Sequence, residues 1–152
     1  MCSLGAPSLA SVPLGQMAQT SGANAGRITT IANQTVSLPG SFCNYANTRV
    51  SVQATALTAA ATTAPTSFAR AVNYTATVSN WGATASAATT TAAADGSTPS
   101  VTVNGATQTA PRLADLSLVL SNFTVPANAL MVAGAYSGAV VVTLGPEAAQ
   151  QQ

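Results

Sequence analysis

The sequence contains no lysine and no histidine, and charged residues make up only 5% of its 152 positions. An ordinary soluble domain has roughly 25% charged residues. Without histidine or lysine the commonest general bases are missing, and a serine or cysteine nucleophile lacks its usual activator. A Ser–His–Asp triad is impossible for the same reason. We therefore expect that this protein is not an enzyme.

The scarcity of charge also argues against several kinds of binding site. Four scattered arginines and a net charge of +1 do not form the basic surface that nucleic acid requires. With no imidazole and only two thiols, a transition-metal site is disfavoured, and Asp95 and Asp115 supply too few oxygens for calcium. The longest apolar run near the end, 139–142, is far too short to span a membrane. We expect no metal, no cofactor, no nucleic-acid partner and no membrane insertion.

What the sequence does contain is typical of an all-β domain. Hydrophobic residues make up 47% of the chain, and the many threonines and valines suit pleated strands. Alternation of apolar and polar residues predicts strands with one buried face at 48–54, 71–78, 116–120 and 136–144, with weaker strand patterns at 9–14, 27–32 and 35–38. Roughly seven to nine short strands indicate a β-sandwich or barrel. We expect one domain over residues 1–146 and a disordered tail at 147–152.

Breaker residues predict where strands end. Pro39-Gly40 is expected to end the strand at 35–38. Asn104-Gly105 lies between alternating segments and predicts a hairpin, because both positions of a tight hairpin turn need positive φ. Segment 56–64 reads as a loop, since its threonines and the following proline oppose a helix.

Two cysteines, Cys2 and Cys43, stand far apart and form no C-x-x-C pattern. In an extracytoplasmic setting a Cys2–Cys43 disulfide is the natural interpretation, and two unpaired thiols are the alternative. The first residues lack the basic and apolar regions of a signal peptide. We therefore expect the chain to be a mature segment.

Aromatic residues suggest one further candidate site. Trp81 and the three tyrosines could line a sugar-binding site, because aromatic rings stack on ligands. Packing in the core is the alternative for Trp81.

The last predicted strand places Tyr136, Val140, Val142 and Leu144 on one face. Gly138 lies on the same face and predicts a bulge or a close contact. The stretch from Val132 to Leu144, with its spaced glycines, tyrosine and valines, resembles the "AGxYxGxVxVTx" closing strand of secreted pilin-like proteins of the spore coat protein U type. These proteins are relatives of the chaperone–usher pilins, whose cysteine spacing is also similar to that of Cys2 and Cys43.

The resemblance implies an incomplete immunoglobulin-like β-sandwich that is completed by a donor strand from a neighbouring subunit. It implies a structural subunit of a bacterial filament, pilus or coat, secreted to the cell surface, whose partners are copies of itself or related pilins and a periplasmic chaperone. Val140, Val142 and Leu144 would line the assembly groove. In such pilins a donor segment precedes the first cysteine, whereas here only Met1 does. Either that segment was removed or this member is capped differently. The alternative function is a secreted adhesin or carbohydrate-binding module that uses Trp81.

Stability should depend little on pH near neutrality. No histidine is present and only three side chains are acidic, so few groups can change protonation between the folded and unfolded states in this range. We expect the melting temperature to be nearly constant from about pH 5 to about pH 8. A clear shift across that window in scanning calorimetry, not traceable to the chain termini, would contradict this prediction.

Overall fold

The computed structural model describes residues 1–8, 11–15, 19, 22, 25–29, 31–59, 67–97, 99–126, 129–132 and 135–146, and these residues form an all-β structure. The strands are β1 (Cys2–Ser3), β2 (Gln34–Cys43), β3 (Thr48–Ala59), β4 (Phe68–Ala69), β5 (Ala71–Ser79), β6 (Ser86–Thr89), β7 (Ser100–Asn104), β8 (Arg112–Thr124), β9 (Leu130–Met131) and β10 (Tyr136–Pro146). The predicted tail at 147–152 lies outside the described residues, as do parts of the strands predicted at 9–14 and 27–32. No helix among the described residues is long and apolar enough to cross a membrane.

One antiparallel sheet contains most of the strands, in the order β1-β2-β8-β5-β3-β10. β6 pairs with β5, and β7 pairs with β3. The sheet curls until β10 comes near β1, so that it is nearly closed. A small second sheet, in which β4 and β9 run parallel, lies beside a separate cluster of apolar side chains formed by Ala69, Val72, Val125 and Met131.

The main core lies between the inward faces of β2, β5 and β8 and that of β3. Alternation explains which residues enter it, because successive side chains of a strand point to opposite faces. Thus Val50, Val52 and Ala54 of β3 are at most 1% exposed, as the sequence predicts. Leu116 and Leu118 of β8 are also buried, again as predicted.

The hairpin predicted at Asn104-Gly105 is wrong. β7 pairs with β3, and the chain continues beside the same strand, where the Gly105 N–H donates to the Val50 carbonyl oxygen. Gly105 is needed for close packing, since a Cβ there would lie 1.9 Å from Oγ of Ser86. The two segments flanking the dipeptide therefore share one partner strand and do not pair with each other.

Two other predicted breaks also fall inside strands. Pro39-Gly40 does not end β2, which continues to Cys43 through a shift in its register with β8. Gly40 has a positive φ of 69° at this bulge. Proline has no N–H to donate to a neighbouring strand, and a bulge is one of the places in a sheet where proline is tolerated. The loop predicted at 56–64 is wrong for residues 56–59, which belong to β3, and residues 60–66 lie outside the described ones.

A disulfide joins Cys2 to Cys43, as predicted. The two residues face each other in the antiparallel pair of β1 and β2. The bond therefore holds the start of the chain against the edge of the sheet. A disulfide also indicates an oxidising, non-cytoplasmic location, because cytosolic proteins keep their thiols reduced.

Reduction should add two hydrogens to the intact mass and weaken the fold. Reducing a disulfide that closes a loop of this length lowers the free energy of unfolding by up to about 4 kcal/mol in the chain-entropy model. Mass spectrometry and urea unfolding, each with and without reductant, measure the two effects. Two thiols that are freely alkylated in unreduced, denatured protein would contradict the assignment.

Candidate functional site

The large sheet stays open between its two ends. Among the described residues, β3 is the only strand that pairs with β10. At the other end, β1 covers only the last residues of β2, where Cys2 and Ser3 pair with Cys43 and Phe42. The inner faces of β2 and β10 therefore border a gap that no strand of the described residues fills.

An apolar groove with a volume of 1150 Å³ occupies this gap. Inward side chains of β2, β8 and β10 form much of its surface, and none of the described residues that line it is charged. Among them are Val36, Leu38, Leu118, Leu120, Val140 and Val142. The groove is thus a place where the hydrophobic core reaches solvent.

The structure brings two of the three predicted groove residues to this site. Val140 and Val142 line the groove. All three pack against the main core, but Leu144 is not part of the groove lining. Val141, which lies between Val140 and Val142, points to the other face of β10 and is 52% exposed.

Gly138 sits at a bulge in β10, as the sequence predicts. The register with β3 shifts between Ser137 and Ala139, and a Cβ on Gly138 would lie 2.6 Å from the Thr55 carbonyl oxygen. The Tyr74 hydroxyl donates a hydrogen bond to that oxygen at 2.8 Å and lies 3.2 Å from the Ala139 carbonyl oxygen. One phenol therefore bridges β5 to the bulged part of the β3–β10 pair.

Tyr74 is almost fully buried and also forms part of the groove wall. Its ring stacks on Phe123 with 5.9 Å between centroids. Burial raises the pKa of Tyr74 to about 12, although the hydrogen bond to Thr55 acts in the opposite direction. The phenol therefore stays protonated and keeps its hydrogen bond at neutral pH.

The first residues of the chain run beside β2. The Gly5 N–H donates to Oγ of Ser41 at 2.9 Å. The Ser8 N–H donates to the Ser37 carbonyl oxygen, also at 2.9 Å. These bonds fix residues 5–8 at one rim of the groove.

Residues 11–15 lie across the groove itself. Val12 packs against the main core, and Val12 and Leu14 both belong to the groove lining. No backbone hydrogen bond joins the described residues 11–15 to β10. Pro13 has no N–H to offer to a neighbouring strand. The segment thus covers apolar surface without completing the sheet.

Trp81 does not present its ring to a ligand. It is 1% exposed and belongs to the main core. The structure places Trp81 in the core, which was the alternative interpretation of this residue. Burial of so large an apolar ring accounts for this position, because aromatic side chains dominate the energetics of cores.

The acidic residues make local structural contacts. Oδ1 of Asp95 accepts hydrogen bonds from the hydroxyl and the backbone N–H of Ser97, and these bonds hold the pKa of Asp95 below its usual value. Oδ1 of Asp115 accepts a hydrogen bond from the Gly40 N–H at the bulge of β2. The described residues contain no group of three or more His, Cys, Asp or Glu side chains that could hold a metal ion.

Sequence reasoning did not find Tyr74 and Phe123 as parts of the site. The alternation in β5 placed Tyr74 in a strand, but it did not show that its hydroxyl meets a bulge far away in the chain. The glycine at 138 was the signal that a close contact existed there. Its partner depends on long-range pairing that periodicity does not report.

Comparisons with protein-family models, curated proteins and solved structures give no match for this chain. The geometry of the groove and the composition of the chain are therefore the observations that bear on function.

Replacing Tyr74 with phenylalanine should lower the free energy of unfolding by about 1 kcal/mol at neutral pH, through the lost hydrogen bond. It should also flatten the alkaline dependence of stability. A tyrosine in the unfolded chain ionises near pH 10 and Tyr74 in the fold near 12, so the fold loses stability as pH rises between these values.

Urea unfolding of both proteins at about pH 8 and about pH 11 measures this effect. The chain has no lysine and its cysteines form a disulfide, so tyrosines dominate titration in this range. An equal loss of stability in the wild type and the Tyr74→Phe variant would contradict the assignment.

Proposed function

We propose that this protein is a structural subunit of a bacterial extracellular filament, pilus or coat, and that it assembles by strand pairing. The observation that carries the proposal is the apolar groove beside β10. A strand inserted there would pair with the outer edge of β10 and place its alternate side chains against Val140 and Val142. It would displace residues 11–15 from the groove, cover the same apolar surface and supply the backbone hydrogen bonds to β10 that those residues do not make.

The strand order supports an immunoglobulin-like sandwich that lacks one strand. β1, β2, β8 and β5 form one layer, and β3 and β10 form part of the other. In an immunoglobulin-like fold a further strand would flank the position of β10. The resemblance of the closing segment to pilin-like proteins of the spore coat protein U type points the same way, because that segment includes β10.

Composition also favours assembly over an isolated monomer. A net charge of +1 gives little electrostatic repulsion between copies. Lysine, the residue that commonly protects sheet edges from pairing, is absent from the whole chain. Electrostatic repulsion would therefore do little to prevent another strand from pairing with an open edge beside this uncharged groove.

The proposed location is the bacterial cell surface, reached by secretion. The Cys2–Cys43 disulfide fits this route. The partners would be copies of the chain or related pilin subunits, and a periplasmic chaperone would protect the groove before assembly. No enzymatic activity is part of the proposal.

A strand-forming peptide tests the groove directly. The probe is a ten-residue peptide of alternating valine and threonine, and the control is the same peptide with every valine replaced by serine. We expect the first peptide to slow hydrogen exchange at alternate amides of β10, since alternate N–H groups of an edge strand point outward. Exchange rates of the β10 amides that are the same with the valine peptide, with the serine control and with no peptide would contradict strand addition.

Two neighbouring substitutions provide a matched pair. Val142→Asp places an unpaired charge in the groove and should abolish peptide binding or association, whereas Val141→Asp, on the 52% exposed face, should preserve both. Light scattering and electron microscopy measure association. If both variants bind and associate as the wild type does, the groove is not the assembly site. The wild-type peptide experiment decides the matter if Val142→Asp fails to fold.

A further inference from the structure

A second cleft, of 530 Å³, is lined by side chains of β5 and β8 and of residues 89–92, and among its described lining residues Tyr74 alone also lines the apolar groove. Its polar side chains are the amides of Asn73 and Asn122 and the hydroxyls of threonines on or beside β5, β6 and β8. No charged side chain is found among the described residues that line it. Its volume falls within the range of small-ligand sites.

Irregularities on both sides of β5 create this cleft. On one side, the register between β5 and β8 shifts opposite Tyr74, and Asn122 takes a positive φ of 56°. A bulge of this kind turns a side chain away from the regular pleat. Positive φ in a residue other than glycine is uncommon, and such residues concentrate at functional sites.

On the other side, the side chain of Asn73 replaces the regular pairing with β6. Oδ1 of Asn73 accepts hydrogen bonds from the Thr90 hydroxyl at 2.9 Å and from the Ala92 N–H at 2.8 Å. Nδ2 of Asn73 donates to the Ala92 carbonyl oxygen at 3.0 Å. This amide therefore has a fixed orientation and keeps one N–H for a ligand.

Other polar groups of the cleft also have hydrogen-bonding capacity. Thr75 and Thr89 form a hydroxyl–hydroxyl bond of 2.9 Å across two strands, which leaves one proton free to donate. Asn122 and Thr124 are exposed at the rim. Rigid strands that carry several such groups form a preorganised site.

We propose that this cleft binds a neutral saccharide. Hydroxyls and carboxamides both donate and accept hydrogen bonds, as sugar hydroxyls do, and threonine methyl groups suit the C–H surface of a sugar ring. The absence of charge from the lining disfavours phosphate, carboxylate and amine ligands. The polar side chains of the cleft are not part of the groove lining, which shares only Tyr74 with it among the described residues, so a sugar and an inserted strand would use different side chains.

Heteronuclear NMR titration of the full chain tests the proposal. The probes are maltose, cellobiose and N,N′-diacetylchitobiose, each at millimolar concentration. At least one should shift the amide signals of residues 73–75, 89–92 and 122–124 in a saturable manner. The absence of localised shifts with all three, or shifts confined to the groove, would overturn the proposal. So would shifts at the cleft that follow protein concentration without sugar, because the cleft would then bind a second copy of the chain.

Two threonines of β5 provide matched variants. Thr75→Val removes a hydroxyl from the cleft, while Thr77→Val removes one outside the lining, two positions along the same strand face. We expect Thr75→Val to weaken binding about three- to tenfold and Thr77→Val to leave it unchanged. Asn122→Gly keeps the positive φ and deletes the amide, so it serves if Thr75→Val does not fold. Wild-type affinity in a folded Thr75→Val variant, or in Asn122→Gly where Thr75→Val does not fold, would overturn the proposal, as would an equal loss in Thr77→Val.

Discussion

Strand β3 imposes the constraint on which the rest of the structure depends, because it uses both of its edges and buries its inner face. β10 pairs with one edge along most of the length of β3, while β7 and then β5 pair with the other. Val52, Ala54 and Ala56 have no exposed surface. A strand fixed in this way leaves β10 on the outside of the sheet. The groove exists because β10 has an inner face with apolar side chains, and within the described part of the chain no further strand pairs with its outer edge.

Much of the fold could be predicted from the sequence where the signal was local. Alternation placed Val50 and Leu116 on inward faces, and the glycine at 138 marked a bulge, since a Cβ cannot fit against the neighbouring strand. The prediction failed where pairing was non-local. Asn104-Gly105 has the local chemistry of a hairpin, yet β3 offers both flanking segments a partner, and tertiary context overrides turn propensity.

The candidate site was less accessible to sequence reasoning than the strands. Val140 and Val142 follow the same alternation as any inward pair, and nothing in their pattern distinguishes a covered face from an open one. Trp81 had the chemistry of a sugar-stacking residue, but its position in the core depends on how distant strands come together. The same core contains small side chains such as Ala76 and Ala88, which are cross-strand partners in β5 and β6 and are both fully buried, and such packing is a property of the whole fold.

The long antiparallel register between β3 and β10 also has a mechanical consequence. It runs from the pair Tyr136 and Ala59 to the pair Pro146 and Thr48, and its hydrogen bonds are perpendicular to the strands. A force applied along the strand axis would stretch these bonds together in shear, whereas a force across the strands would open them one after another. A chain anchored through β10 would therefore resist tension along that strand better than peeling.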